Sequence, residues 1–149
     1  MSWGSPESAP TWLHISREYT ERWHHQQQIR EALGRPLLTA PKLFAPVLTA
    51  FVYGLRRTYQ TIIAAEGTVL KFTTLGESGG IWYLVRDVNQ WDLYNDVTDE
   101  PSASVSIVEI DAWKLFTKSF LLDIVHPLVQ LGGDTDLALK ALGTVSIIA

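Results

Sequence analysis

The apolar positions along the chain change their period twice. From residue 10 to residue 33 the run is helical, with Pro10 a good first-turn residue after the cap candidate Ser8. It stops at Gly34-Arg35-Pro36, where glycine can take the left-handed cap and proline cannot continue a helix. A proline-punctuated linker follows over residues 37–46 and is the best domain boundary in the chain. Val47, Leu48, Phe51, Val52 and Leu55 then give an apolar side to a second helix over residues 46–59. After Gly67 the period falls to two. Strands are predicted over 69–75, 81–86, 90–95 and 103–109, with Gly76-Glu77-Ser78-Gly79-Gly80 as the first hairpin loop. Asp111 caps a helix over 112–118, anchored by Trp113, Phe116 and Phe120. Pro127 splits the stretch 121–130 into a helix and a short strand, 128–131. Asp134 caps a last helix holding Leu137, Ala138, Ala141, Leu142, Val145 and Ile148.

The fold class this predicts is α+β: a long N-terminal helix, then an antiparallel β-meander flanked by helices. Residues 1–36 form the helical part, 37–46 the linker and 47–149 the α+β domain. A lone amphipathic helix is marginal in water, so the first helix must pack on something.

At about 100° per residue, with His25 at zero, His14, Glu18, Glu21, Gln28 and Ala32 fall within roughly 60° of it. Trp12, Ile15, Tyr19, Trp23 and Leu33 lie on a separate sector roughly 80° to 160° round. That stripe has to be covered by the α+β domain, by a second copy or by a separate helical chain. Glu21 and His25, one turn apart, are close enough to hold one divalent ion between them, but a well-held ion needs at least three protein groups. Spacing alone favours helix-supporting pairs, Glu18-Arg22 and Glu21-His25, over a metal site. His24 lies about 100° off the stripe and is expected to face solvent.

Composition narrows the function classes. With 149 residues the chain is one domain, or a small domain and an appendage. Twelve Lys+Arg against sixteen Asp+Glu leave a net charge of -4, which argues against nucleic-acid binding. Cysteine is absent, which excludes disulfides, thiolate metal sites and a cysteine nucleophile. No apolar run approaches the ~20 residues of a membrane span, and the first residues lack signal-peptide character. A cytoplasmic protein without a membrane partner is the expectation. The Gly76 loop opens no helix and no lysine follows it, so it is not a phosphate loop. His126 reads as structural, and Trp82, Trp91 and Trp113 as core, although they would also suit a hydrophobic pocket. Nothing fixes Arg56, Arg57 and Arg86 as an anion clamp.

The run from Glu21 to Arg30, followed by Ala32-Leu33-Gly34-Arg35-Pro36, resembles the last helix of DinB-like four-helix bundles. More narrowly it resembles the mycothiol-dependent maleylpyruvate isomerases, whose Glu-x-Trp-x-His pattern is matched by Glu21, Trp23 and His25. That family also carries a second, sterol-carrier-protein-like domain, echoed here by Trp91, Asp111-Ala112-Trp113 and Gly133-Asp134. The resemblance implies that Glu21 and His25 ligate a divalent metal, zinc for preference, together with a histidine from an earlier helix. It further implies a metal-activated thiol, mycothiol or similar, as cosubstrate for isomerisation or S-transfer. Only about ten residues precede this helix here, so the chain reads as a C-terminal portion, inactive by itself in that chemistry. The alternative is a non-catalytic module that binds a small apolar molecule or oligomerises, as a homo-oligomer or with a separate bundle chain docked on the first helix.

Overall fold

A computed structural model describes residues 11–119 and 126–146. The lead-in, Ser8, Pro10, Phe120, the helical half of the 121–130 stretch and Ile148 lie outside them. The first helix, α1, spans Thr11–Ala32 and ends as its sequence dictates: Gly34 takes φ 61° and the Arg35 N–H reaches back to the Arg30 carbonyl. It is followed by α2 (Pro41–Val52), α3 (Gly54–Tyr59), β1 (Val69–Leu75), β2 (Gly80–Arg86), β3 (Trp91–Tyr94) and β4 (Ala103–Val108). Next come α4 (Glu109–Phe116), a 3₁₀ turn (His126–Leu128), β5 (Val129–Gly133), α5 (Thr135–Leu139) and a second 3₁₀ turn (Lys140–Gly143). No helix of the described residues is long and apolar enough to cross a membrane.

The α+β class holds, with all the expected strands present to within two residues. Two local readings are corrected. The second helix starts at Pro41, five residues early, because Pro41 rather than Pro46 occupies the first turn; Pro46 sits inside the helix, where one backbone N–H is missing. α4 starts at Glu109, so Asp111 is a first-turn acid and caps nothing. Asp134 does cap its helix, its carboxylate accepting the Leu137 N–H at 3.0 Å.

The sheet is not a meander. Its strand order is β3-β2-β1-β4-β5, and β4 runs parallel to β1 while the other pairs are antiparallel. β3 and β4 therefore point the same way on opposite sides of β2 and β1, and residues 95–102 must cross the sheet to join them. The side chains of Leu70, Phe72, Trp82, Leu84, Leu93, Val105 and Ile107 share one face by register and pack under the helices with Phe44, Phe51, Tyr59 and Phe116. The other face carries Val69, Lys71, Thr73, Leu75, Ile81, Tyr83, Val85 and Tyr94 and, among the described residues, has no helix on it.

The glycine-rich loop has a structural job. The Ser78 N–H donates to the Glu109 carboxylate at 2.7 Å, and a side chain on Gly76, at φ 143°, would collide with that carboxylate. A Cβ on Gly79 would meet the Thr74 carbonyl. The loop thus holds the start of α4 against the first hairpin.

α1 docks on its own domain. Trp23 is 4% exposed, stacked on Phe44 at 4.9 Å and edge-on to Trp113 at 5.7 Å. Its indole N–H donates to the Leu38 carbonyl at 3.1 Å, and the Gln27 amide binds both the N–H and the carbonyl of Leu38. Tyr19 donates to the Leu43 carbonyl, Arg30 to the Pro36 carbonyl, and Lys114 pairs with Glu31 at 2.8 Å.

Candidate functional site

The crossover between β3 and β4 creates an open concavity against the second face of the sheet. Val69 and Val85 are directly opposite each other on the helix-free face, and Tyr94 stands on the same face at the sheet edge. Residues 96–99 pass over these positions and close a groove of about 360 Å³ lined by Val69, Val85, Tyr94, Asp96, Val97, Thr98 and Asp99. Val69 is only 1% exposed although it faces away from the helix-side core, because the crossover covers it. Two hydrogen bonds tie the end of the crossover to β1: the Ser102 N–H donates to the Val69 carbonyl, and the Val69 N–H to the Ser102 hydroxyl.

The groove's surroundings are acidic. Between Asp87 and Glu100 the chain carries five acids (Asp87, Asp92, Asp96, Asp99, Glu100) and no lysine or arginine, against a net charge of -4 for the whole chain. The Tyr94 hydroxyl donates to Asp87 at 3.3 Å; the Asp87 charge first, then desolvation, that hydrogen bond and the Asp92 charge push the phenol above its usual range. Asp92 is paired with Arg56 at 2.6 Å. Asp96 and Asp99 form no ion pair among the described residues.

The sequence pointed to a different place, α1. Glu21 and His25 both lie on the exposed side of that helix. Glu21 sits 3.9 Å from Arg17, and His25 shares a hydrogen bond with Gln28 at 3.1 Å. Among the described residues no group of three or more His, Asp or Glu is placed to hold a metal ion. Two solvent-facing donors do not fit a resident zinc ion, which takes at least three protein ligands. His24, expected in solvent, is instead 1% exposed and lies edge-on to Trp113 at 5.7 Å, with neither ring nitrogen hydrogen-bonded. Burial, and then the neighbouring His25 charge, lower its pKa. Trp82, Trp91 and Trp113 are core residues; Arg56 holds Asp92 and the Trp91 carbonyl, while Arg86, opposite Trp91 at the end of β2, keeps its Nε buried without a partner among the described residues.

No protein-family model matches the chain, and no curated protein matches it. Solved structures do. One is the UbiJ-SCP2 ubiquinone synthesis protein: 20% identity, TM-score 0.46, covering 67% of this chain and 94% of that one. Another is sterol carrier protein 2 like 2 from Aedes aegypti, at 16% identity, TM-score 0.48, and 66% and 95% coverage. A third is the sterol carrier protein domain 2 of Helicoverpa armigera, at 14% identity, TM-score 0.47, and 71% and 94% coverage. These neighbours are sterol carrier protein 2-like domains. With TM-scores below 0.5, what the groove holds has to come from this chain's own geometry.

Sequence reasoning missed the groove. Its apolar floor is spread over β1, β2 and β3, and only the crossover brings residues 96–99 onto it. The one legible signal was the base-free acidic stretch 87–100.

Proposed function

We propose that this chain is a non-catalytic small-molecule-binding module whose site is the groove under the β3–β4 crossover. The observation that carries this reading is the helix-free sheet face at Val69 and Val85, roofed by Val97 and flanked by Tyr94, with a volume of about 360 Å³. Apolar concavities of about 300–1,000 Å³ with a few polar groups at the rim are the usual form of small-molecule sites. The reactive side chains of the lining are Tyr94, Thr98 and the two aspartates, and no hydrogen bond among the described residues couples a groove hydroxyl to Asp96 or Asp99 as nucleophile to base, which is why the reading stops at binding. Small aromatic compounds titrated into labelled protein should shift the resonances of Val69, Val85, Tyr94 and Val97, with affinities of about 0.1–1 mM for a ten-atom body. Val85→Trp, which fills the groove from a strand position, should abolish those shifts. Binding that leaves these four residues unmoved, or survives Val85→Trp, would refute the assignment.

A second reading concerns α1. Docking leaves Ile15 (65% exposed), Ile29 (53%) and Leu33 (69%) in solvent on one side of the helix. We propose that a second helix covers this stripe, supplied by another copy or by a separate bundle chain. Among the described residues no third donor reaches Glu21 and His25, so zinc binding and any thiol-dependent isomerase or transferase chemistry would belong to an assembly in which the partner supplies one. Light scattering with and without zinc tests it. A dimer that reverts to monomer in Ile15→Lys/Ile29→Lys supports a second copy, and zinc uptake lost in His25→Ala supports the shared site. A monomer at 0.1 mM on the order of a typical weak-dimer Kd, unchanged by zinc, removes the second copy as the partner.

A further inference from the structure

We infer that the groove under the crossover is selective for ligands that join a flat apolar body to a positive charge, such as an arylalkyl amine. The inference rests on the binding reading above and adds the class of ligand. Three independent features of the groove converge on it.

The first is the floor. Val85 on β2 and Val97 on the crossover, both half-buried, line the groove with aliphatic side chains, and Val69 is buried beneath them. A flat apolar body laid against Val85 and Val97 removes aliphatic surface from water.

The second is the rim. Asp96 and Asp99 line the groove, one on each side of Val97 and Thr98, and neither has a cationic partner among the described residues. The neighbouring acids sort differently: Asp92 is held by Arg56, and Asp87 accepts from the Tyr94 hydroxyl. Asp96 and Asp99 are the acids of this stretch that line the groove, and like Asp87 and Glu100 they form no ion pair among the described residues. Lys71 is the base on the same sheet face, one pleat beyond Val69 along β1, and it is not among the lining residues. A carboxylate ligand would meet Asp96 and Asp99 as like charges, which is the repulsive element that selectivity requires.

The third is the Tyr94 ring. It lines the groove at the edge of the sheet and is 42% exposed, while its hydroxyl is turned to Asp87. The ring is therefore available to a ligand through its carbon surface, and an aromatic face attracts cations as well as apolar groups. Floor, rim and ring ask for the same molecule: apolar in the middle, cationic at one end.

The test uses the full chain and three probes that share one apolar body: 2-(1-naphthyl)ethylamine, 2-(1-naphthyl)ethanol and 1-naphthylacetate. Affinities are read from the Val69, Val85, Tyr94 and Val97 resonances. The amine should bind roughly tenfold more tightly than the alcohol, the effect of two partly screened carboxylates, and the acetate should bind most weakly. Raising salt from 20 to 500 mM should collapse the amine's advantage to about twofold or less, as the screening length falls to a few ångströms, and leave the alcohol unchanged. Asp96→Asn/Asp99→Asn, both in an exposed loop, should bring the amine to the alcohol's affinity. Equal binding of all three probes at these resonances would overturn the charge selectivity and leave the groove as a neutral apolar site. Failure of all three to move these resonances would overturn the selectivity together with the binding reading beneath it. An amine preference that persists in the double variant would also overturn it, by placing the charge recognition elsewhere.

Discussion

Trp23→Ala is expected to cost about 3–5 kcal/mol of stability, the range for truncating a fully packed aromatic side chain. The indole is 4% exposed, lies flat on Phe44, meets the edge of Trp113, and donates to the Leu38 carbonyl. Its removal opens a cavity where α1, α2 and α4 meet and takes one of two donors from the Leu38 carbonyl, which keeps the Gln27 amide. Loss should be local first: α1 releases before the sheet does, because its other polar ties are one hydrogen bond each from Tyr19 and Arg30, two from Gln27 to Leu38 and one ion pair from Glu31. Urea unfolding gives the magnitude, and amide exchange over Thr11–Ala32 gives the order. Trp12→Ala is the control. Trp12 is 45% exposed and touches Tyr53 edge-on at 4.9 Å, so its loss should cost under about 1 kcal/mol. Equal effects of the two substitutions would mean that Trp23 does not anchor the helix.

Stability should fall in acid, and His24 should be a principal cause. Its imidazole is buried against Trp113 with no acceptor on either ring nitrogen, so the fold holds it neutral and lowers its pKa, through burial first and the His25 charge second. The unfolded chain binds the proton near the ordinary value of 6.5, and the folded chain binds it only at lower pH. The stability that depends on neutral His24 is therefore complete above about pH 6.5 and is lost as pH falls from there toward the folded-state pKa, at about 1.4 kcal/mol per pH unit within that window. His24→Leu keeps the apolar contact with Trp113 and removes both unpaired nitrogens. It should gain about 1 kcal/mol at pH 7.5 and more at pH 5. Urea titrations of both proteins at the two pH values decide it: parallel losses on acidification would assign the acid sensitivity to other groups.

Much of the architecture was legible along the chain. Gly34 before Arg35-Pro36 ends α1 because its φ of 61° suits glycine. The alternation of Ala103, Val105 and Ile107 with Ser104 and Ser106 becomes one buried and one half-exposed face of β4. Asp134 caps α5 with the hydrogen bond its position predicts. Pro41 and Pro46 misled because either can open a helix, and nothing local says which one does.

The rotation of α1 was not legible. The expected apolar stripe was Trp12, Ile15, Tyr19, Trp23 and Leu33, but the buried residues are Thr20, Trp23, His24 and Gln27, a sector roughly 90° further round. Hydropathy reports what a face would gain by leaving water, and says nothing of what the receiving surface needs. Here that surface includes residues 36–39, whose backbone groups belong to no helix or strand and are satisfied by Trp23, Gln27 and Arg30. Polar side chains won the buried side of the helix, and Ile15, Ile29 and Leu33 were left outside.

The groove shows the same division. Periodicity along the chain determined the strands, the helix ends and the face of each strand that goes inside, because those follow from neighbours within a few residues. Which strand lies beside which, and so where the acidic stretch 87–100 comes to rest, was decided by the parallel pairing of β4 with β1. That pairing is a contact between segments some thirty residues apart, and it alone lays Val97 over Val69 and Val85.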